Sequence, residues 1–257
     1  GRFWPVLVDK WPDGAATRLN ILMGHVLARL PDPLFKELRH GISRWAQKHL
    51  PALIGERRSA GFAVFDAIVG RYMNSEPDVL HSGVGFSSIG GVPQEKSEVS
   101  VMKAINAPGG QLAQILLGLL GTRKRREAMP RRISTRLDLL LKLPGDGGGH
   151  AAAVCARQFV WLAHWFPEWG QAFASHFDLA DPLSEATWHG FAGDHNNLVG
   201  NVRLRLKPIL LALLKGEAGW ELDKEERGAL IQCMIMWTYA PKRGRPTITY
   251  AEARRVL

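Results

Sequence analysis

Apolar side chains repeat along most of this chain at intervals of three or four residues, the spacing that places them on one face of an α-helix. No run of alternating apolar and polar residues long enough to form a substantial strand interrupts the pattern. The pattern therefore predicts an all-α protein with almost no β structure. The apolar stripes are Leu19/Leu22/Val26/Leu30, Leu34/Leu38/Ile42/Trp45, Phe62/Phe65/Val69/Tyr72, Ile133/Leu137/Leu140, Val154/Trp161/Leu162/Trp165, Leu206/Leu210/Leu213/Leu214 and Leu230/Met234/Trp237.

Proline, glycine and aspartate mark where these helices begin and end. Asp32 precedes Pro33 and Asp181 precedes Pro182, an order typical of an N-cap residue followed by the first helical position. The glycine-rich segment 145–149 is predicted to be a flexible connector between two helices. About ten helices with short connectors favour stacked antiparallel helix pairs, an irregular HEAT-like α-solenoid, and the alternative is a compact helical bundle.

One long segment, 74–95, lacks helical periodicity and contains four glycines and two prolines. Irregular loops of this length often carry function. We predict that it ends an N-terminal helical part, 1–95, and is followed by a C-terminal helical-repeat part, 96–257. The chain starts without Met, and near its end Thr249 and Glu252 form the capping-box pattern of a new helix. These features predict that the chain is a piece of a larger protein.

The composition is that of a folded protein, with 46% hydrophobic and 22% charged residues. No apolar stretch approaches the roughly 20 residues of a transmembrane helix, so no membrane partner is expected. The two cysteines, Cys155 and Cys233, lie among apolar residues and are predicted to be buried and reduced. Reduced cysteines favour a cytoplasmic location.

The formal net charge is +9 over 257 residues, and much of the positive charge lies in three short runs. Clusters of this kind can neutralise the phosphates of a nucleic acid. Aromatic residues are not interleaved with the runs, which disfavours the stacking of single-stranded bases. The candidate contacts to a nucleic acid or another partner are Arg123, Lys124, Arg125, Arg126, Arg131, Arg132 and Arg136; the other runs are Arg203, Arg205 and Lys207, and Lys242, Arg243 and Arg245.

Motifs for catalysis or metal binding are missing from the sequence. The nine histidines form no HExxH pattern, and there is neither a GxSxG nucleophile motif nor a phosphate-binding glycine loop after a strand. We therefore predict no catalytic, cofactor-binding or metal-binding residues in this chain. The alternative is an enzyme whose site is assembled by folding, with two or more of these side chains in one polar pocket: His150, His176, His189 and Asp194.

Tryptophan is abundant, with nine residues. Trp161, Trp165 and Trp169 follow one another at intervals of four, which extends an apolar stripe along a helix. We predict that they pack between helices. The alternative is a groove for a peptide or ligand that these rings line.

Several short segments, in this order, resemble a known family. The resemblance covers about residues 100 to 257 and is to the helical C-terminal regions, a domain of unknown function, that are attached to sirtuin-like domains in bacterial anti-phage defence proteins. It implies a helical arm that senses a trigger while a separate sirtuin-like domain degrades NAD. The segments are Ala104-Ile105-Asn106-Ala107-Pro108-Gly109-Gly110-Gln111-Leu112, Pro144-Gly145 with His150-Ala151, Trp161-Leu162 with Phe166-Pro167-Glu168-Trp169, Phe177-Asp178, Trp188-His189-Gly190-Phe191 and Leu206-Lys207-Pro208.

These observations give one expected function and one principal alternative. The chain is expected to be a non-catalytic helical interaction or sensor module of a larger bacterial defence protein of the sirtuin-like, NAD-depleting kind. Its partner would be a protein: a phage trigger, the effector domain or a second copy of the chain. The alternative is a nucleic-acid-binding helical domain that uses the basic runs 123–136, 203–207 and 242–245.

Overall fold

The computed structural model describes residues 3–80, 87–89, 92–94, 101–121, 127–193, 201–239 and 246–256. Within these residues the chain forms fourteen α-helices and two strands of three residues, so the predicted all-α fold is confirmed. More helices are present than the ten expected, because several are shorter than two turns. None of the helices in these ranges is both long and apolar enough to cross a membrane.

The helices are α1 (Phe3–Asp9), α2 (Thr17–Ala28), α3 (Asp32–Glu56), α4 (Arg58–Met73), α5 (Val101–Asn106), α6 (Pro108–Gly118), α7 (Arg131–Leu140), α8 (Gly147–Arg157), α9 (Phe159–Trp165), α10 (Pro167–Phe173), α11 (Ser184–Ala192), α12 (Asn201–Leu214), α13 (Lys224–Tyr239) and α14 (Tyr250–Arg254). The strands β1 (Ser87–Ile89) and β2 (Val92–Gln94) pair antiparallel, with Ser88 opposite Pro93. They lie in the segment predicted to be irregular. Pro77–Val79 and Ala174–Phe177 are 3-10 turns.

The chain divides into two compact units, each assembled from separate stretches of sequence. Unit 1 comprises Gly1–Gly83, Met102–Thr122 and Thr135–Ala151, and unit 2 comprises Val84–Val101, Arg123–Ser134 and Ala152–Leu257. The units do not coincide with the predicted parts 1–95 and 96–257, because α6 returns to pack against α3 within unit 1. The arrangement as a HEAT-like solenoid stays a prediction.

Unit 1 is built around the 25-residue helix α3, which contacts α1, α2, α4 and α6. Its inner face carries Ile42, Trp45 and Leu50, all nearly or fully buried. Helices α2 and α4 approach closely at Gly24, where a β-carbon would collide with Val64. Burial of large apolar side chains at about 1.5–3 kcal/mol each supplies the main stabilisation of this unit.

Unit 2 has a core dominated by aromatic rings. Phe177 is at its centre, with ring centroids 4.9 Å from Phe159, 5.0 Å from Trp188 and 5.4 Å from Phe191. The indole N–H of Trp188 donates to the Phe177 carbonyl at 2.9 Å, so the polar atom of this buried ring is satisfied. Cys155 and Cys233 are buried thiols, as predicted, and burial raises the pKa of the Cys233 thiol to about 12.

The glycine-rich segment 145–149 is not the flexible connector that the sequence suggested. Helix α8 already begins at Gly147, and Gly147 and Gly148 are buried. A β-carbon on Gly148 would lie 2.6 Å from the Leu141 carbonyl oxygen, and one on Gly109 would collide with the Gly147 carbonyl. The glycines are therefore required by close backbone packing in unit 1, where any side chain would force helices apart.

Of the three predicted caps, one is confirmed and two are wrong. Asp181 is not an N-cap, because α11 begins at Ser184 and Leu183 occupies the N-cap position. Thr249 accepts from the Glu252 backbone N–H while the Glu252 side chain accepts from the Thr249 N–H, so the predicted capping box is confirmed. The prediction of Asp32 as an N-cap is wrong, because Pro31 occupies that position and no side chain caps the helix. The Asp32 carboxylate instead pairs with Arg71 of α4.

Candidate functional site

The residues of the first basic run belong to two different units. Arg131 and Arg132 are exposed in the first turn of α7, in unit 2. Arg136 is half-buried in unit 1, where its Nε and Nη2 donate to the two carboxylate oxygens of Asp66 at 2.7 and 2.5 Å. Its guanidinium also covers the Phe62 ring at 4.3 Å. Arg136 therefore has a packing role, and Arg123, Lys124, Arg125 and Arg126 lie outside the described residues.

The second basic run is held entirely by neighbouring elements of unit 2. Arg203 is 93% buried, donates to the Met236 carbonyl at 3.3 Å and lies 5.3 Å from the centroid of the Trp237 ring. Burial lowers the pKa of its guanidinium, and the carbonyls at the C-terminal end of α13 offer it partial negative charge. Arg205 donates to the Gln171 carbonyl at 2.8 Å, and the Lys207 ammonium lies 2.8 Å from the Glu252 carboxylate. The third run, Lys242, Arg243 and Arg245, lies outside the described residues.

Two of the histidines considered for catalysis, His176 and His189, have separate partners in unit 2, whereas His150 is buried in unit 1. His176 Nδ1 lies 3.1 Å from an Asp181 carboxylate oxygen, and His189 Nδ1 lies 2.6 Å from Glu226. Asp194 is outside the described residues. Within the parts of the chain that the structure describes, no three histidine, cysteine or acidic side chains converge as metal ligands. These contacts tie helices together through local pairs.

A cleft of about 410 Å³ lies in unit 1 between α3, α4 and the 3-10 turn after α4, and we call it the α3–α4 cleft. Buried Phe35 and Val79 form its apolar floor, and exposed Asp32, Lys36 and Glu76 form its charged rim. An apolar centre with a polar margin is the usual anatomy of a protein-binding site. Its full lining is Asp32, Pro33, Phe35, Lys36, Arg71, Asn74, Ser75, Glu76 and Val79.

The floor of this cleft is fixed by a chain of contacts. The Arg71 guanidinium lies 4.9 Å from the Phe35 ring centroid, donates to the Leu30 carbonyl at 3.3 Å and pairs with Asp32. Phe35 in turn lies 4.9 Å from Tyr72, whose hydroxyl donates to a backbone carbonyl at 2.5 Å. Burial raises the pKa of Tyr72 well above its usual range, so the hydroxyl stays a donor. Rigid walls lower the ordering cost of binding.

Sequence reasoning missed most of the cleft residues. Only the segment 74–79, the start of the predicted loop 74–95, signalled a site at this position. Tyr72 was identified as a member of a core stripe and Phe35 was not singled out. Nothing in the sequence shows that Arg71 and Asp32, 39 positions apart, meet. Residues 81–86, 90–91 and 95 of that loop are outside the described residues.

A second candidate surface lies on α9 in unit 2. The predicted stripe Val154/Trp161/Leu162/Trp165 is right for Val154 and Leu162, which are buried, and wrong for Trp161 and Trp165, whose rings are half-buried. Phe159, which was not predicted, also faces the core. The reason for the difference is Gln158, whose φ of −99° and ψ of 11° separate α9 from α8 and shift the helical phase. The phase of the stripe therefore changes between α8 and α9, and of the three tryptophans only Trp169 is buried as expected.

The segment that leads into α7 is bonded to the end of α9. The Glu127 backbone N–H donates to the Trp165 carbonyl at 3.1 Å, and Met129 is buried two residues later. These two contacts hold the segment before Arg131 against unit 2.

Comparison with known proteins adds no relative to this picture. No family model, no curated protein and no solved structure gives a significant match to this chain. The resemblance to sirtuin-associated helical regions stays a prediction.

Proposed function

We propose that this chain is a non-catalytic helical interaction module that binds a protein partner in the α3–α4 cleft. The observation that carries the proposal is the pairing of a fixed apolar floor, Phe35 and Val79, with a charged rim at Asp32, Lys36 and Glu76. A partner segment would place one apolar side chain on the floor and polar groups against the rim. The cleft volume is within the range of pockets that enclose a side chain or small ligand.

The wider setting that we propose is the one that the sequence resemblance implies. The module would be the sensing arm of a larger cytoplasmic bacterial defence protein whose separate sirtuin-like domain consumes NAD. Binding of a phage protein in the cleft would favour one state of the effector, because a ligand shifts an equilibrium by its difference in affinity for the two states. No cofactor is assigned to this chain.

The cleft is tested by selecting short peptides from a displayed library on the purified chain and measuring their affinity by calorimetry. Glu76→Trp places a bulky ring at the rim and should reduce binding at least tenfold. Glu37→Trp makes the same change at an exposed position of α3 outside the cleft lining and should leave binding unchanged. Peptides that bind both variants equally, or a selection that yields no binders, would reject the cleft as the site.

The defence setting is tested separately in cells that carry the whole natural gene. Cellular NAD should fall after phage infection, and Glu76→Trp should prevent that fall while Glu37→Trp permits it. Constant NAD during infection would reject the sirtuin-like setting and leave the cleft proposal to the peptide experiment.

A further inference from the structure

Helix α9 carries two half-buried tryptophans that flank its core-facing side. At about 100° per residue, Trp161 and Trp165 lie within about 40° of each other. The fully buried Phe159 and Leu162 mark the core-facing side, and Trp165 lies about 60° and Trp161 about 100° from Leu162 around the helix. The described ring contacts of the two tryptophans are few: Trp161 meets Phe166 at 5.7 Å and Trp165 meets His164 at 4.7 Å. Two half-buried indoles therefore stand side by side at the surface of unit 2.

Two exposed arginines follow a segment that is hydrogen-bonded to the C-terminal end of α9. Glu127 is hydrogen-bonded to the end of α9, and α7 begins only four residues later, so the Cα atom of Arg131 lies within about 14 Å of that of Glu127. Arg131 and Arg132 are both exposed. Two neighbouring exposed guanidinium groups favour a polyanion as the occupant of the surface.

We propose that this α9 surface, defined by Trp161, Trp165, Arg131 and Arg132, binds single-stranded nucleic acid. Unpaired bases would stack on the indoles, and the two guanidinium groups would neutralise phosphates of the same strand. Aromatic platforms combined with cationic side chains are the two components that sequence-tolerant single-strand binding requires. A duplex offers the arginines its phosphates but keeps its base faces stacked on each other, so the indoles would contribute little to binding it.

This activity goes beyond the proposed function, because it uses unit 2 and does not depend on the α3–α4 cleft. The two sites can therefore fail independently. Glu76→Trp, which blocks the cleft, should leave single-strand affinity unchanged.

The test is fluorescence anisotropy of the full chain with labelled single-stranded DNA and RNA of about 12 nucleotides, a length within the site sizes of known single-strand binders. Duplex DNA of equal length is measured beside them. Each Trp→Ala change should weaken single-strand binding by about 5- to 150-fold, which corresponds to the stacking of one base. Arg131→Gln with Arg132→Gln should reduce the slope of log affinity against log salt by about 1.4, from two phosphate contacts.

Matched controls separate the proposed site from general effects. Trp4→Ala removes a half-buried tryptophan of α1, and Arg18→Gln with Arg29→Gln removes two exposed arginines of unit 1; both should leave affinity within about twofold, because they lie outside the site. Trp161→Phe and Trp165→Phe keep an aromatic face and should retain most of the binding even if the alanine variants unfold.

Three results would overturn the proposal. The first is no single-strand binding at physiological salt, and the second is equal affinity for duplex and single strands. The third is wild-type affinity in both folded Trp→Ala variants, which would mean that any remaining attraction is non-specific and due to net charge.

Discussion

The basic run of α12 and the basic run that enters α7 look alike in sequence and differ in structure. Arg203, Arg205 and Lys207 each have a partner on another element of unit 2. Arg131 and Arg132 instead are exposed in the first turn of α7. The difference shows that a cluster of cations in a sequence does not by itself indicate a binding surface. Cations that bind groups on neighbouring helices stabilise the fold and have to be set aside first.

The largest effect is expected at the buried member of the α12 run. Arg203→Glu would place a carboxylate beside the Met236 carbonyl and the face of Trp237, where nothing described compensates it. Because an uncompensated buried charge is strongly destabilising, the free energy of unfolding should fall by about 3 kcal/mol or more. Urea denaturation followed by circular dichroism measures this loss.

Arg203→Met is the control, because methionine keeps the apolar stem of the side chain. It should cost about 1–2 kcal/mol, from one hydrogen bond and the contact with the indole. If Arg203→Glu were as stable as the wild type, Arg203 would not make the contacts with Met236 and Trp237. The two basic runs would then no longer differ in this respect.

Arg136 tests whether a member of the first run can be structural. Arg136→Ala removes the two-point contact with Asp66 and the cover over Phe62, and unfolding should require about 1–2 kcal/mol less. Combination with Asp66→Ala in a double-mutant cycle should show coupling, since the two side chains bind each other. Fully additive losses would contradict the pairing. The affinity of Arg136→Ala for single strands should stay within about twofold of wild type, because Arg136 is not part of the α9 surface.

A smaller effect is expected from acid at the Lys207–Glu252 pair. The Lys207 ammonium and the Thr249 backbone N–H hold the pKa of Glu252 at about 2, below its ordinary 4.5. The pair therefore stabilises the fold above pH 4.5, and this contribution is lost as the pH falls towards 2. For a partly exposed pair the contribution is within about 1 kcal/mol. Unfolding free energies measured from pH 7 to pH 3 should fall less steeply in Lys207→Met than in wild type; identical pH profiles would contradict the contact.

The smallest effect has the opposite sign. Arg131 is in the first turn of α7, where negative charge is favourable and positive charge is not. Arg131→Glu should therefore raise the free energy of unfolding by about 0.3–1 kcal/mol while it weakens single-strand binding. If the substitution lowered the free energy of unfolding instead, Arg131 would have a structural role like that of the cations of α12.

The sequence predicted what depends on neighbours along the chain. The helical character of the chain, the capping box at Thr249 and the buried cysteines are local patterns, and the structure confirms them. The first predicted stripe is wrong in its phase, because Leu19 and Leu22 are exposed and Met23 and Leu27 are buried instead. Contacts between distant positions were not predictable: Arg136 meets Asp66 across 70 residues, and Arg71 takes Asp32 away from its expected role as a cap. Side-chain pairing of this kind depends on which helices become neighbours, and a single sequence does not state that.

The candidate sites were predictable only in part. The segment after α4 was identified as functional, and it forms one wall of the α3–α4 cleft. The face of α9 was assigned to the core because the stripe was extended through position 158 as if the helix were continuous. The buried position Phe159 shows the true phase, but its burial became known only from the structure.

The interruption at Gln158 has a consequence for the response of this chain to insertions and deletions. Each residue of an α-helix contributes about 100° of rotation. Removal of Gln158 would allow α8 and α9 to join as one helix and would turn the tryptophans by about that angle relative to α8. Removal of this one residue would therefore turn the core-facing residues of α9 away from the core, although every residue of the α9 surface would still be present.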